Sequence, residues 1–120
     1  MSNAAVVRTY LDAFTSGDID GAMDLIADDF SFAGPIVQSE GKQAFVEGSQ
    51  AAQAIAKGYT MLRQFEDGDD VVSLYEFELG APATPGTVLM SEWNTVRHGK
   101  LTSARLVFDT AQFSALMPQG

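Results

Sequence analysis

The sequence predicts an α+β domain, with helices first, a meander of antiparallel strands after, and the helices laid on one face of the sheet. Three observations predict it. Residues 6–26 carry apolar side chains at helical spacing. From Tyr59 onward the apolar period changes to two. The segments of period two are joined at Gly68-Asp69-Asp70 and at His98-Gly99, both of them hairpin signals.

Taken in order, Ser2 or Asn3 is placed to cap the first helix. Val6, Val7, Tyr10, Leu11 and Phe14 form one apolar face of it, with Arg8, Thr9 and Asp12 on the other side. Ser16-Gly17 stops it. Asp18 caps a short second helix that buries Ile19, Met23, Leu25 and Ile26. The charges of Asp18 and Asp20 suit its N-terminus. Asp28-Asp29 ends that helix, and residues 30–37 form a strand with Phe30 and Phe32 on one face. Pro35 has no N–H to give a ladder, so this strand is an edge or ends there.

Residues 41–57 read as a third helix, alanine-rich, offering Phe45, Ala52, Ile55 and Ala56 for packing and stopped by Gly58. Residues 59–67 and 71–79 are the strands of the first hairpin. Residues 80–86, with Pro82 and Pro85, are a surface loop, and residues 87–97 and 100–108 make the second hairpin. The tail at 109–116 folds its Phe113 and Leu116 back onto the sheet.

The 120 residues make one domain, 1–120, long enough to bury roughly two-thirds of its unfolded surface. Cysteine is absent, which excludes disulfides, thiolate nucleophiles and zinc-thiolate sites. A single histidine, His98, falls in a hairpin turn and argues against a histidine metal site or a catalytic triad. Sixteen acidic against seven basic residues give a net charge of −9, which repels phosphate backbones and anionic membranes and excludes nucleic acid as a partner. No apolar run approaches the roughly 20 residues of a membrane span, and no signal peptide precedes the first helix, so the expected location is cytoplasmic. The acidic turn Glu66, Asp67, Asp69 and Asp70 lacks calcium-loop spacing and reads as a solvated hairpin tip. No metal and no cofactor are expected.

The string VVRTYLDAFTSGDIDGAMDLIADDFSFAGP resembles the N-terminal part of ketosteroid isomerases and, more widely, the nuclear transport factor 2-like superfamily. That superfamily includes polyketide-cyclase-like (SnoaL-like) and limonene epoxide hydrolase-like proteins. The resemblance runs over nearly the whole chain and implies a curved, mixed, mostly antiparallel sheet wrapped round N-terminal helices, a cone-shaped α+β barrel with a pocket, commonly a homodimer. It implies roles for two residues. Tyr10 matches the isomerases' oxyanion-donating tyrosine, and Glu92, in MSEWN, stands where they carry a protonated aspartic acid. Their general base precedes the proline after the first strand. Here that position is Gly34, in AGP, and Glu40 is the nearest carboxylate. The arginine–aspartate set of the epoxide hydrolases has no counterpart in the last strand, which reads Ala104-Arg105-Leu106-Val107-Phe108.

If Glu92 faces inward, alternation sends Val88, Met90 and Asn94 in with it, and Leu89, Trp93 and Thr95 out. The neighbouring strands then contribute Val71, Ser73, Tyr75 and Phe77, and Ala104, Leu106 and Phe108. The expected site has Tyr10 and Glu92 as acid–base or charge-stabilising residues, and Phe14, Phe32, Tyr75, Met90, Asn94, Leu106 and Phe108 as ligand contacts. Glu92 has three readings: a structural hydrogen bond to Tyr10, contact with a ligand, or an outward-facing side chain. Tyr10 has two, a core ring or a donor to ligand. The function expected is a pocket for a small, largely apolar carbonyl compound, with proton-transfer, isomerase or cyclase chemistry. The alternative is a non-catalytic binding or dimerisation module. Leu74, Leu89, Trp93 and Val107 make an apolar outer face that a homodimer would cover.

Overall fold

In the computed structural model, which describes residues 1–118, the chain runs α1 (Asn3–Ser16), α2 (Ile19–Met23), β1 (Ile26–Ala33), β2 (Gln38–Glu40), α3 (Lys42–Gly48), α4 (Gln50–Ile55), β3 (Ala56–Asp67), β4 (Asp70–Leu79), β5 (Gly86–Arg97), β6 (Lys100–Phe108) and α5 (Thr110–Leu116). The six strands form one sheet in the order β2-β1-β6-β5-β4-β3. All neighbours are antiparallel except β1 and β6, which run parallel and make the sheet mixed. The expected α+β architecture is the one observed.

Ser2 caps α1, its Oγ accepting from the Ala5 N–H at 3.1 Å. Gly17 ends the helix in the left-handed region (φ 87°), where a side chain would be strained. Val6, Val7, Tyr10, Leu11 and Phe14 are all buried, so the apolar ladder in the sequence is the packed face. That face lies on the inner side of the sheet, chiefly on β3. Polar contacts help to fix it there, among them two toward the ends of the helix. The Tyr59 hydroxyl donates to Asp12 Oδ1 at 2.7 Å, and Gln64 Nε2 donates to the Ala4 carbonyl at 3.2 Å.

The register shifts between Ala56 and Gly58 and between Met61 and Arg63 on β3, and between Thr95 and Val96 on β5 against β6. An extra residue on one strand bends it and raises its twist, so these shifts curl the sheet around α1. The turns are tight. Gly68 (φ 61°) leads the first hairpin, and His98 (φ 53°) with Gly99 (φ 75°) forms the second, the pair of positive φ values that a two-residue hairpin favours.

Four elements depart from the sequence reading. Helix α2 ends at Met23, and Ile26 already belongs to β1, where it is buried opposite Leu101. Asp28 and Asp29 do not end a helix. They sit in an irregular stretch of β1 between its Ile26 and Ser31 pairings, which leaves both exposed. The expected helix at 41–57 is two short helices broken at Ser49, and its last turn is lost to β3 because Ala56 pairs with Leu79. Gly48 and Ser49 are weak helix formers, so a break there costs little. After the Pro35 turn the chain returns as β2, and the tail beyond Asp109 is a helix, α5, capped by the Asp109 carboxylate.

Phe45 of α3 ties the β1 side together, its ring 5.0 Å from Phe30, 5.1 Å from Phe32 and 6.4 Å from Phe14 between centroids. Phe30 is fully enclosed. Phe30→Ala is expected to cost about 3–5 kcal/mol in chemical denaturation, from lost burial plus the void left behind. Phe65→Ala, at a ring left 59% exposed on β3, should stay within roughly 0.5–1 kcal/mol of wild type. Equal losses for the two would contradict this placement of the core.

Candidate ligand-binding site

Alternation along β5 buries Val88, Met90, Glu92 and Asn94 and leaves Leu89 and Trp93 exposed. On β4 the inward residues Val71, Ser73, Tyr75 and Phe77 stand opposite Asn94, Glu92, Met90 and Val88 respectively. Glu92 therefore faces inward, and it is only 5% exposed. Its Oε1 accepts from the Tyr75 hydroxyl at 2.6 Å, and its Oε2 accepts from Asn94 Nδ2 at 3.0 Å.

Between this wall and the helices lies a cavity of about 200 Å³. Tyr10, Leu11 and Phe14 of α1 line one side, Phe32 and residues 34–37 another, and Phe45, Ala52 and Ile55 a third. The sheet supplies Tyr75, Phe77, Met90, Glu92, Leu106 and Phe108, and the C-terminal segment adds Phe113 and Met117. Pro35, Ile36 and Ala51 both line the cavity and face solvent, which marks its opening. Glu92 is the one acid among the lining residues, and no lysine, arginine or histidine joins it.

Burial pushes the Glu92 carboxyl above its ordinary value, because taking the charged form out of water costs free energy; the hydrogen bonds from Tyr75 and Asn94 oppose that rise. Burial also holds the Tyr10 and Tyr75 hydroxyls well above the usual phenol range, and the nearby Glu92 carboxyl adds to both. Both tyrosines are thus fixed as O–H donors. Tyr75 spends its proton on Glu92. Tyr10 makes no hydrogen bond to a described residue, and its hydroxyl borders the cavity beside that carboxyl.

Of the residues expected at the site, Tyr10, Phe14, Phe32, Tyr75, Met90, Glu92, Leu106 and Phe108 line the cavity. Asn94 does not. It lies two residues beyond Glu92 on the same face, fully buried, and orients Glu92 instead of meeting the cavity. Its Oδ1 has no partner. The hydrogen-bond partner of Glu92 is Tyr75, not Tyr10, because Tyr75 stands diagonally across the ladder while Tyr10 reaches in from α1.

Gly34 does line the cavity, whereas Glu40, exposed at the end of β2, does not. Arg63 and Arg105 turn away from the site, lying over Phe65 and Trp93 at 5.3 and 5.9 Å from the ring centroids. Sequence reasoning missed the lining contributed by α4 and α5. For α5 the signal was there, since Phe113 and Met117 are spaced to share one helical face. Among the described residues no cluster of histidine, aspartate and glutamate is placed to hold a metal ion, and no helix is long and apolar enough to cross a membrane.

A curved sheet closed over helices, with its cavity between them, defines a nuclear transport factor 2-like fold. Solved structures that share it include the following three. A nuclear transport factor 2-like protein of unknown function from Burkholderia pseudomallei superposes with a TM-score of 0.85 at 18% identity, over 99% of this chain and 100% of the other. TerC, co-crystallised with polyporic acid, gives 0.81 at 22% identity over 95% and 96%. A protein with a ketosteroid isomerase-like fold from Catenulispora acidiphila, in complex with trimethylamine, gives 0.79 at 19% identity over 93% and 91%. No curated protein matches the sequence at a significant level. The SnoaL-like domain model matches residues 7–104, and the chain belongs to that family.

The raised Glu92 carboxyl has a sign that can be checked. Between the ordinary glutamate value and the raised one, the native state binds more protons than the unfolded chain, so this residue's contribution to stability falls as pH rises through that window. Glu92→Gln should abolish this contribution, so that its stability relative to wild type increases with pH across the window in urea denaturation. Tyr75→Phe removes a bond that lowers the Glu92 value and should move the carboxyl's carbon-13 titration upward. A Glu92 titrating at the ordinary value in wild type would contradict the assignment.

Proposed function

We propose that this cavity binds a small, neutral, largely apolar carbonyl compound, with the oxygen directed at Tyr10 and Glu92. The observation that carries the reading is the pairing of an uncommitted Tyr10 hydroxyl with a desolvated acid on an otherwise apolar wall. Two O–H groups aimed at one carbonyl oxygen stabilise the charge that develops there on enolisation, and preorganised donors in a dry site are worth far more than in water. Glu92, its carboxyl raised by burial, is the acid in proton-transfer, isomerase or cyclase chemistry. Gly34 cannot take the carbon-bound proton, so the reading applies to carbonyl compounds acidic enough to lose that proton to water. The same Gly34 favours a second reading, a binding module with no turnover. Turnover measured on candidate ketones separates the two.

Acetophenone and α-methylstyrene differ in little but the carbonyl oxygen, and they test the donors directly. Acetophenone is expected to bind the wild-type chain about 2- to 10-fold more tightly by calorimetry, the worth of a net hydrogen bond. Tyr10→Phe and Glu92→Gln should each narrow that preference. Equal affinities in wild type would remove the polar half of the site.

A second copy of the chain is proposed as the partner. Leu89, Trp93 and Val107 are exposed on the convex face, with Leu74 half-buried among them. The same face carries Glu76 on β4 and Arg105 on β6, and a twofold axis sets one copy's base against the other's acid. Light scattering on the eluting protein is expected to give twice the 12.8 kDa chain mass, and Trp93→Asp with Val107→Glu to give the monomer. A monomeric wild type at micromolar concentration would remove this partner.

A further inference from the structure

Helix α5 is held by little. It buries no residue completely, and its 7 residues are too few for an isolated helix to persist in water. A handful of interactions fix it. The Asp109 carboxylate accepts from the Ala111 and Gln112 N–H groups at 2.9 and 3.2 Å. The Phe113 ring leans on Phe108 with centroids 5.0 Å apart. The Leu116 carbonyl accepts from the Thr84 N–H at 2.8 Å. The Leu116 methyls cover Gly86 so closely that a Cβ there would come within 3.0 Å of one of them. Phe113 of this helix and Met117, the residue that follows it, are half-buried and line the cavity.

We infer that α5 is the lid of the cavity, and that Phe113 on it and Met117 just past its end determine the size of ligand admitted. The inference rests on the reading of the cavity as a ligand site. A segment with little buried surface opens at low free-energy cost compared with the sheet beneath it. A ligand that touches Phe113 does so only when the helix is down, so binding and lid closure stabilise each other by the same amount. Gly86 is the seat of the lid: its lack of a side chain is what lets Leu116 settle on β5.

Benzene and naphthalene are suitable probes, because an apolar cavity of this order of volume takes up such molecules whatever its natural ligand. In the full chain, Phe113→Ala should shift the affinity ratio toward naphthalene by about tenfold or more, since it opens the lid side of the cavity while leaving Tyr10 and Glu92 in place. Gly86→Val displaces Leu116 without touching the lining of the cavity near Glu92. It should speed benzene exchange, read from ligand NMR line widths, with the sheet's amide protection from hydrogen exchange unchanged. If benzene binds the wild type but neither variant alters size preference or exchange, α5 is not the lid. If benzene fails to bind at all, the lid and the ligand reading fall together, whereas equal affinity for acetophenone and its hydrocarbon counterpart removes only the polar contacts.

Discussion

A bent sheet encloses more volume than one helix can fill, and the molecule is organised around that mismatch. α1 covers β3 and the near part of the concave face, while α3 covers β1 and β2. What remains between them is hollow and lined by apolar side chains. Bulges on β3 and at the β5–β6 pairing produce the bend, so backbone irregularities in the sheet set the width of the hollow.

Into that hollow the fold places one carboxyl. A glutamate at 5% exposure with hydrogen bonds to both oxygens is expensive in its charged form and inexpensive in its neutral one. Tyr75 and Asn94 stabilise the carboxylate in part, and desolvation outweighs them. Tyr10, from the opposite side of the hollow, is left as the donor with capacity for something else.

The opening helix was legible in the sequence because the spacing of Val6, Val7, Tyr10, Leu11 and Phe14 is a local property, as was the alternation that turns Glu92 inward. Both hairpin turns were legible for the same reason: glycine at a positive φ is written at one position. Boundaries set by competition were not. Ala56 belongs to an alanine-rich helix by propensity and to β3 by its pairing with Leu79, and no window of sequence contains that partner. Asp28 and Asp29 read as a helix terminus because two adjacent acids do not suit a regular strand, and an irregular pairing with β6 removed the conflict.

The site divides along the same line. Sequence by itself determined which residues of a strand share a face, that an inward-facing Glu92 would look into a greasy hollow, and that Gly34 stands where an isomerase keeps its base. It also carried the family likeness. Only the tertiary structure decided that Glu92 pairs with Tyr75 rather than Tyr10, that Asn94 stands behind the acid, and that Phe113 and Met117 line the cavity. Facing is fixed by the two-residue repeat within one strand, whereas a hydrogen-bond partner depends on register between strands and on how far a helix leans across them. Those are distances between segments remote in the chain, and they exist only once it has folded.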